Sequence, residues 1–471
     1  MTRPLVVVDV VGMTPRLLPH MPRLTALAAG GFASPLGAAF PAVTCSGQAS
    51  LLTGLPPSGH GVVGNGWFFR DLGEVWLWRQ GHGLVEGETV WEAARRRHPG
   101  LRIANLCWWY AMGAPTDYTV TPRPVYHADG RKSPDCYTRP PALHDELEAE
   151  LGPFPLFQFW GPGARIASSR WIGRAAEIVL ERHRPDVTFV YLPHLDYDLQ
   201  RFGPAFDGRD RALGEVDRVV GAIVQTARDL DVEVIALSEY GITAVRGSVS
   251  INRALRREGL LRVHHAHNGE ILDAGASRAF AVADHQVAHV YVRDAADIAT
   301  VGRVLAGLDG VDRVLDREAQ ASFGLDHARS GELVAVSRAD RWFDYYYWLD
   351  DAKAPDFART VDIHRKPGYD PLELFIDDSR PLMKARVAAK LLGRKLGLRT
   401  VLDVVSFDTA RVGGSHGRLP DRPEDGPVLI SSSRRQKVAR LEMREVRDLI
   451  LATMFDDGSP RSSRDQRAPR S

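Results

Sequence analysis

The sequence predicts an α/β fold, a mainly parallel central sheet with helices on both faces and inserted cap or lid segments. Three observations predict it. Short, β-branched apolar runs recur at residues 5–8, 187–192, 232–237 and 400–405, and that composition suits strands buried on both faces. Helical periodicity lies between them, at residues 173–184 and 212–229. Polar residues follow each run, and in a sheet wound this way they converge beyond the carboxyl ends of the strands.

The chain has 471 residues, 44% of them hydrophobic, enough for one large core carrying insertions. Its 60 basic and 59 acidic residues leave a net charge of +1, which argues against a broad nucleic-acid-binding surface while leaving room for a local phosphate pocket. The three cysteines, Cys45, Cys107 and Cys136, lack metal-type spacing and fit a reducing compartment. The first residues do not read as a secretory leader, and no run approaches the ~18 apolar residues of a membrane span. The expectation is a soluble, cytoplasmic protein with no membrane partner. Residues 66–165 and 245–395 fit the alternation poorly and are rich in aromatics, among them Trp108, Trp109, Tyr110 and the run at 345–348. They are expected as insertions in a catalytic domain spanning 1–455, forming either a cap over the crevice or a core of their own. Residues 456–471 are poor in apolar side chains and are expected to be a disordered tail.

Several residues stand where chemistry is expected. Asp9 ends the first run; a buried carboxylate there needs a cation or a helix N-terminus, with a structural cap as the competing role. Residues 40–54 read FPAVTCSGQASLLTG, a small-residue helical pattern from Ala42 to Leu52 with Thr44 in or near its first turn. Exposed N–H groups there favour a phosphate and, beside a metal, a threonine alkoxide; an ordinary cap is the alternative. In PHLDYDLQRFGP, residues 193–204, Asp196 and Gln200 are four apart and share a face on a helical turn. His194 and Asp198 are further candidate ligands, and a solvated loop is the alternative. Glu239 follows the third run in SEYG, and His416 follows the fourth in GGSHG, where flanking glycines permit close approach.

Taken in order, the Asp at the first strand end, FPAVT with its helix, HGVVGN, Asp-x-x-x-Gln-x-x-Gly-Pro, SEYG and GSHG resemble the nucleotide pyrophosphatase/phosphodiesterase branch of the alkaline phosphatase superfamily. The matching stretches are residues 5–70, 187–245 and 400–418. The resemblance implies an alkaline-phosphatase-like fold and a hydrolase with two divalent metal ions, zinc by family default, with manganese or magnesium as alternatives. It implies that Thr44 is the nucleophile and forms a phospho-threonine, that Asp9 and Thr44 belong to the first metal, and that Asn65 holds a phosphate oxygen. Asp196 and His416 match ligands of the second metal. The family usually has Asp-x-x-x-His where this chain has Asp196 and Gln200, and Asp-His where it has Glu239 and Tyr240. The ligand set therefore turns oxygen-rich, which shifts preference away from zinc, and His194 is a nearby replacement for a missing imidazole. Trp67 and Phe68, just after Asn65, are expected either to stack on a planar leaving group or to pack in a core. His364 and the cluster His264, His265 and His267 read as surface or core residues. The implied substrate is a small phosphate ester, nucleotide or phosphonate, cleaved as a phosphodiester or pyrophosphate. The alternatives are a phosphomonoesterase, a phosphonoacetate-hydrolase-like enzyme, or a non-catalytic scaffold. The Cys-x-Pro-x-Arg pattern of sulfatases is absent.

Overall fold

The computed structural model describes residues 2–128, 132–396 and 400–455; the expected tail lies outside them. The chain first lays down β1 (Leu5–Val10), β2 (Phe32–Gly37), β3 (Ile103–Leu106), β4 (Tyr118–Pro122), β5 (Cys136–Arg139), β6 (Val187–Leu192) and β7 (Glu233–Leu237). After a second unit built on β8 (Ala279–Asp284), β9 (Val287–Val292), β10 (Val311–Leu315) and β11 (Leu333–Ser337), it returns with β12 (Val428–Ser431) and β13 (Leu441–Glu442). The main sheet has nine strands in the order β13-β2-β12-β7-β1-β6-β3-β4-β5. Its centre, β7 through β4, is parallel, and β12 and β5 run antiparallel beside it.

Every residue of β1 and β6 is buried, as mainly apolar strands covered on both faces require. Register then does the positioning. Asp9 lies level with Tyr191 and with Leu237, so the residues that follow β6 and β7 emerge beside it. Helix α1 (Thr44–Thr53) packs against α5 (Val446–Phe455), while α2 (Ala167–His183) and α4 (Arg209–Asp229) pack against each other. Residues 193–204, for which a loop was the competing expectation, hold helix α3 (His194–Phe202).

Two expectations are corrected. Residues 400–405 are not a strand. Val404 and Val405 are buried in a second hydrophobic cluster rather than in the sheet, and their backbone bonds go to Asp377 and Arg359. The fourth strand-end position is supplied instead by the short pairing of Gly414–Ser415 with Thr243–Ala244, which carries His416. Residues 66–165 are not wholly an insertion either, since β3, β4 and β5 extend the main sheet. Their short, mixed sequences, IANL and YTVTP among them, hide that role because no continuous apolar run marks it.

Residues 245–395 do build a second unit, a four-stranded antiparallel sheet. Tyr345, Tyr346, Tyr347 and Trp348 are its core and are at most 2% exposed. Trp108 instead joins the first core, with its ring edge-on to Phe189. Among the described residues no helix is long and apolar enough to cross a membrane.

One buried histidine, His289, joins the units, and another, His60, lies within the first. His289, on β9, donates from Nε2 to the Val63 carbonyl at 2.9 Å and accepts the Gly331 N–H at Nδ1 at 3.1 Å. His60 bonds the Ser50 hydroxyl at 2.9 Å. Burial lowers His289 to about 4 and His60 to about 3, from a value near 6.5 in the unfolded chain. Above that value both states are neutral and the stabilisation is complete. As the pH falls through ~6.5 only the unfolded chain gains the proton, so stability is lost down to the folded values. Urea unfolding should show a loss of roughly 2–3 kcal/mol from His289 between neutral pH and pH ~4. His289→Gln should flatten that dependence; an unchanged slope would exclude His289 as its source.

Candidate active site

Four carboxylates gather beyond the strand ends. Asp9 is 0% exposed, Glu239 1%, Asp284 3% and Asp196 6%. Among the described residues none of them is ion-paired with lysine or arginine: Asp196 faces His416 Nε2 at 3.7 Å and Asp284 faces His285 Nδ1 at 2.7 Å. Buried carboxylates without a cation are held by taking up protons. Burial accordingly raises Asp9 and Asp196 to about 7 and puts Glu239 well above the carboxylate range, where it hydrogen-bonds Asp9. Burial drives His416 and His285 well below the usual imidazole value, which leaves both neutral.

Thr44 is the first residue of α1, entered from an extended Val43. Its hydroxyl lies 3.0 Å from the Tyr240 hydroxyl and hydrogen-bonds Glu239. Tyr240 in turn donates to Asp196 at 3.4 Å. One turn along α1, Gln48 donates from Nε2 to Asp9 at 3.1 Å and to Glu239 at 2.6 Å. Its Oε1 accepts the Trp109 N–H at 2.8 Å, so the amide is held with its NH2 toward the acids. Trp109 is delivered by a turn in which Cys107 and Tyr110 adopt φ of 70° and 58°, a strained backbone of the sort retained around functional sites. Asn65 is fixed on both ends: Oδ1 accepts the Cys45 N–H at 3.0 Å, while Nδ2 and the backbone N–H donate to Asp284 at 3.0 and 2.7 Å.

The other half of the site is a stack of four rings. Tyr240 lies on His416 at 3.7 Å, His416 on His285 at 3.8 Å and His285 on Tyr369 at 3.6 Å. Tyr369 donates to Gln200 Oε1 at 2.8 Å, and Gln200 Nε2 donates to Asp196 at 2.6 Å. His416 donates from Nδ1 to the Ala42 carbonyl at 2.8 Å, which leaves Nε2 toward Asp196. Its loop is latched by Ala42 N–H to Gly417 and Gln286 N–H to His416, each at 2.8 Å. Gly417 has φ +119°, and a Cβ there would meet the Gln286 nitrogen at 3.0 Å, so glycine is needed at that crossing.

The structure thus brings Asp9, Thr44, Asn65, Asp196, Gln200, Glu239, Tyr240 and His416 together. His194 is not among them: its ring faces Asp198 at 3.6 Å and the edge of Tyr197, because it opens α3 one residue-pair away from the face that carries Asp196 and Gln200. Trp67 is 3% exposed, stacked on Phe69 beneath Arg329, and Phe68 packs on Phe280 and Tyr291. Both belong to the second core. His264, His265 and His267 are exposed and His364 is half-buried. The sequence reading missed Gln48, Asp284, His285 and Tyr369. Gln48 was detectable as the position four after Thr44, on the same helix face. The Asp284–His285 pair ends an apolar run, AFAVAD, inside a region read as an insertion.

The chemistry of the residues present fits divalent cations. Asp9 Oδ1, Glu239 Oε2 and His285 Nε2 are buried without a hydrogen-bond partner, and four unpaired carboxylates call for positive charge. Asp9, Glu239 and Thr44 offer oxygen alone, whereas Asp196 has His416 beside it. Among the described residues, a cluster of three His, Cys, Asp or Glu ligand atoms within 4.8 Å of one another occurs only at Asp135, Cys136 and His144. There Asp135 already accepts from His144 at 2.8 Å and from the Cys136 N–H at 2.7 Å, an ordinary ion pair at the sheet edge.

Comparisons with known proteins bear on the chain as a whole. The family model for type I phosphodiesterase/nucleotide pyrophosphatase matches residues 5–370. An uncharacterized pyrophosphatase/phosphodiesterase of Schizosaccharomyces pombe is 24% identical over 217 residues, which cover 43% of this chain and 36% of that relative's length. Among solved structures, the phosphonoacetate hydrolase of Sinorhizobium meliloti with phosphonoformate superposes at a TM-score of 0.62, with 16% identity and 96% of each chain covered. Murine ectonucleotide pyrophosphatase/phosphodiesterase 5, as an inactive variant with AMP, superposes at 0.57, with 14% identity and 98% of each chain covered. These two share the fold with this chain. The family match spans most of the chain, and the chain belongs to the type I phosphodiesterase/nucleotide pyrophosphatase family.

Proposed function

We propose that this protein is a divalent-metal-dependent hydrolase of phosphodiester or nucleotide pyrophosphate bonds that works through a phospho-threonine at Thr44. The observation that carries the reading is the placement of the Thr44 hydroxyl, at the first residue of a buried helix and in contact with both Glu239 and Tyr240. An alkoxide there faces the positive end of α1. Thr44 Oγ1 forms a bond to phosphorus, the bond from phosphorus to the leaving oxygen breaks, and that oxygen takes a proton. Water then cleaves the phospho-threonine. Asn65, oriented by Cys45 and Asp284, keeps one amide hydrogen for a non-bridging oxygen. Asp9 and Glu239 on one side, and Asp196 and His416 on the other, would hold the cations, which when bound neutralise phosphoryl charge and act as Lewis acids.

A neutral amide at Asn65 favours the lower charge of a diester over a monoester. The aromatic residues Trp78, Trp109 and Trp160 around Tyr369 suit a small substrate with a planar leaving group better than a polymer. The three cysteines are buried and free, which supports action in a reducing compartment such as the cytoplasm.

Thr44→Ala should lower turnover by several orders of magnitude while a divalent ion and a substrate analogue still bind. The measurement is a screen of p-nitrophenyl monoesters and diesters, nucleotides and phosphonoacetate with manganese, magnesium and zinc. Wild-type rates in the variant would remove Thr44 as nucleophile, and no activity in the wild type would favour a scaffold. Gln200→His or Tyr240→His should tighten zinc binding by about tenfold in calorimetric titration, since imidazole is the better zinc ligand. Unchanged affinity in both would place these positions outside the coordination shell.

A further inference from the structure

The charges of this chain nearly cancel, 60 basic against 59 acidic, but they are not spread evenly. Residues 379–396, SRPLMKARVAAKLLGRKL, hold six basic residues and no acidic one. Their helix, Met383–Lys395, packs on the second core, and the chemistry at Thr44 makes no use of it. We propose that this helix docks the protein on an anionic lipid membrane, lying along the surface with its leucines among the acyl chains and its basic groups among the phosphates. The inference is independent of the hydrolase reading. It concerns attachment to a bilayer rather than passage through one, and it runs against the expectation of no membrane partner.

Three observations carry it. The first is which face is covered: Met383 and Val387, one turn apart, pack on the second core. The second is what the open face carries. Ala385, Ala389, Leu392 and Leu396 are exposed, and their spacing of four, three and four sets them in one stripe along the helix. Leu392 and Leu396 are 59% and 71% exposed, and Leu382, just ahead of the helix, is 79% exposed. The third is charge. Arg380, Arg386 and Lys390 all turn to one carboxylate, Asp403, the first two at 3.4 and 3.9 Å, and Arg380 also meets Asp377 at 3.1 Å. Even where acids approach the helix, the balance stays positive.

A helix that merely faces water is built otherwise. On α2 the open face mixes signs, with Arg174 paired to Glu177 at 2.7 Å and Arg182 to Glu146 at 3.1 Å. A row of apolar side chains facing water is unfavourable until something covers it. A second copy of the helix would set six basic residues against six. A nucleic acid would engage the basic groups and leave the leucines without a partner. An anionic bilayer answers both features together, since headgroup phosphates meet lysine and arginine while the interface takes up leucine.

The test is co-sedimentation of the full chain with vesicles of phosphatidylcholine and phosphatidylserine, mixed three to one, against vesicles of phosphatidylcholine alone. Partitioning onto the anionic vesicles should be stronger by about tenfold or more and should fall steeply as salt is raised. Leu392→Ser with Leu396→Ser, and separately Arg394→Glu with Lys395→Glu, should each lower it by about tenfold while thermal unfolding stays as in the wild type. Should either pair fail to fold, hydrogen exchange of the wild type answers the same question: the amides of residues 383–395 should exchange more slowly with anionic vesicles than with neutral ones. Equal binding to both kinds of vesicle, wild-type binding by both variant pairs, or exchange that does not differ between the vesicles overturns the proposal. So does a dimer in sedimentation velocity that the leucine pair abolishes, because the stripe is then covered by a second copy.

Discussion

The site is organised around unneutralised negative charge. Asp9, Glu239, Asp196 and Asp284 are almost wholly buried, and among the described residues none has a lysine or arginine partner. The fold nevertheless has basic side chains to spare, and it uses one of them, Lys366, wholly buried between Asp370 at 2.8 Å and Glu373 at 2.7 Å. No such partner reaches the four acids among the described residues, and the positive charge they lack is what the proposed cations would supply. Without them the acids depend on shared protons and on the Gln48 amide, whose NH2 bridges Asp9 and Glu239. That bridge is a neutral stand-in for positive charge, and it is held in orientation by a backbone N–H from the strained turn at Trp109.

The second unit is more than a cover. It sends Asp284 and His285 into the crevice from the end of β8, and Tyr369 from the loop that Lys366 braces. The resulting stack of Tyr240, His416, His285 and Tyr369 ends at both sides in hydroxyl groups tied to Asp196, directly through Tyr240 and by way of Gln200 through Tyr369. Asp284 links this stack to Asn65, and Asn65 to the first turn of α1. A change of alignment in either unit is therefore felt at Thr44, because close-packed, hydrogen-bonded groups have few alternative arrangements.

Legibility differed among the residues for definite reasons. Asp9, Thr44, Asp196 and Glu239 each follow or open a regular element whose period shows in the sequence, so their convergence can be read from alternation alone. His416 was located correctly but for the wrong reason: the apolar run at 400–405 that seemed to lead to it packs into the second core, and the residue is delivered by a glycine-rich crossing. Trp67 and Phe68 follow Asn65 closely, but an aromatic beside a site looks the same in sequence whether it meets a ligand or, as here, Phe69, Phe280 and Tyr291.

The sequence by itself determined the parallel core, the helix that opens at Thr44 and the acids at the strand ends, because periodicity and strand-end chemistry are local properties. Tertiary structure alone decided which rings meet beside Asp196. His194 stands two residues from Asp196 and points elsewhere, while His285, 89 positions away along the chain, lies against His416. Helix geometry separates the first pair and the packing of one sheet on another joins the second, and sequence distance reports neither.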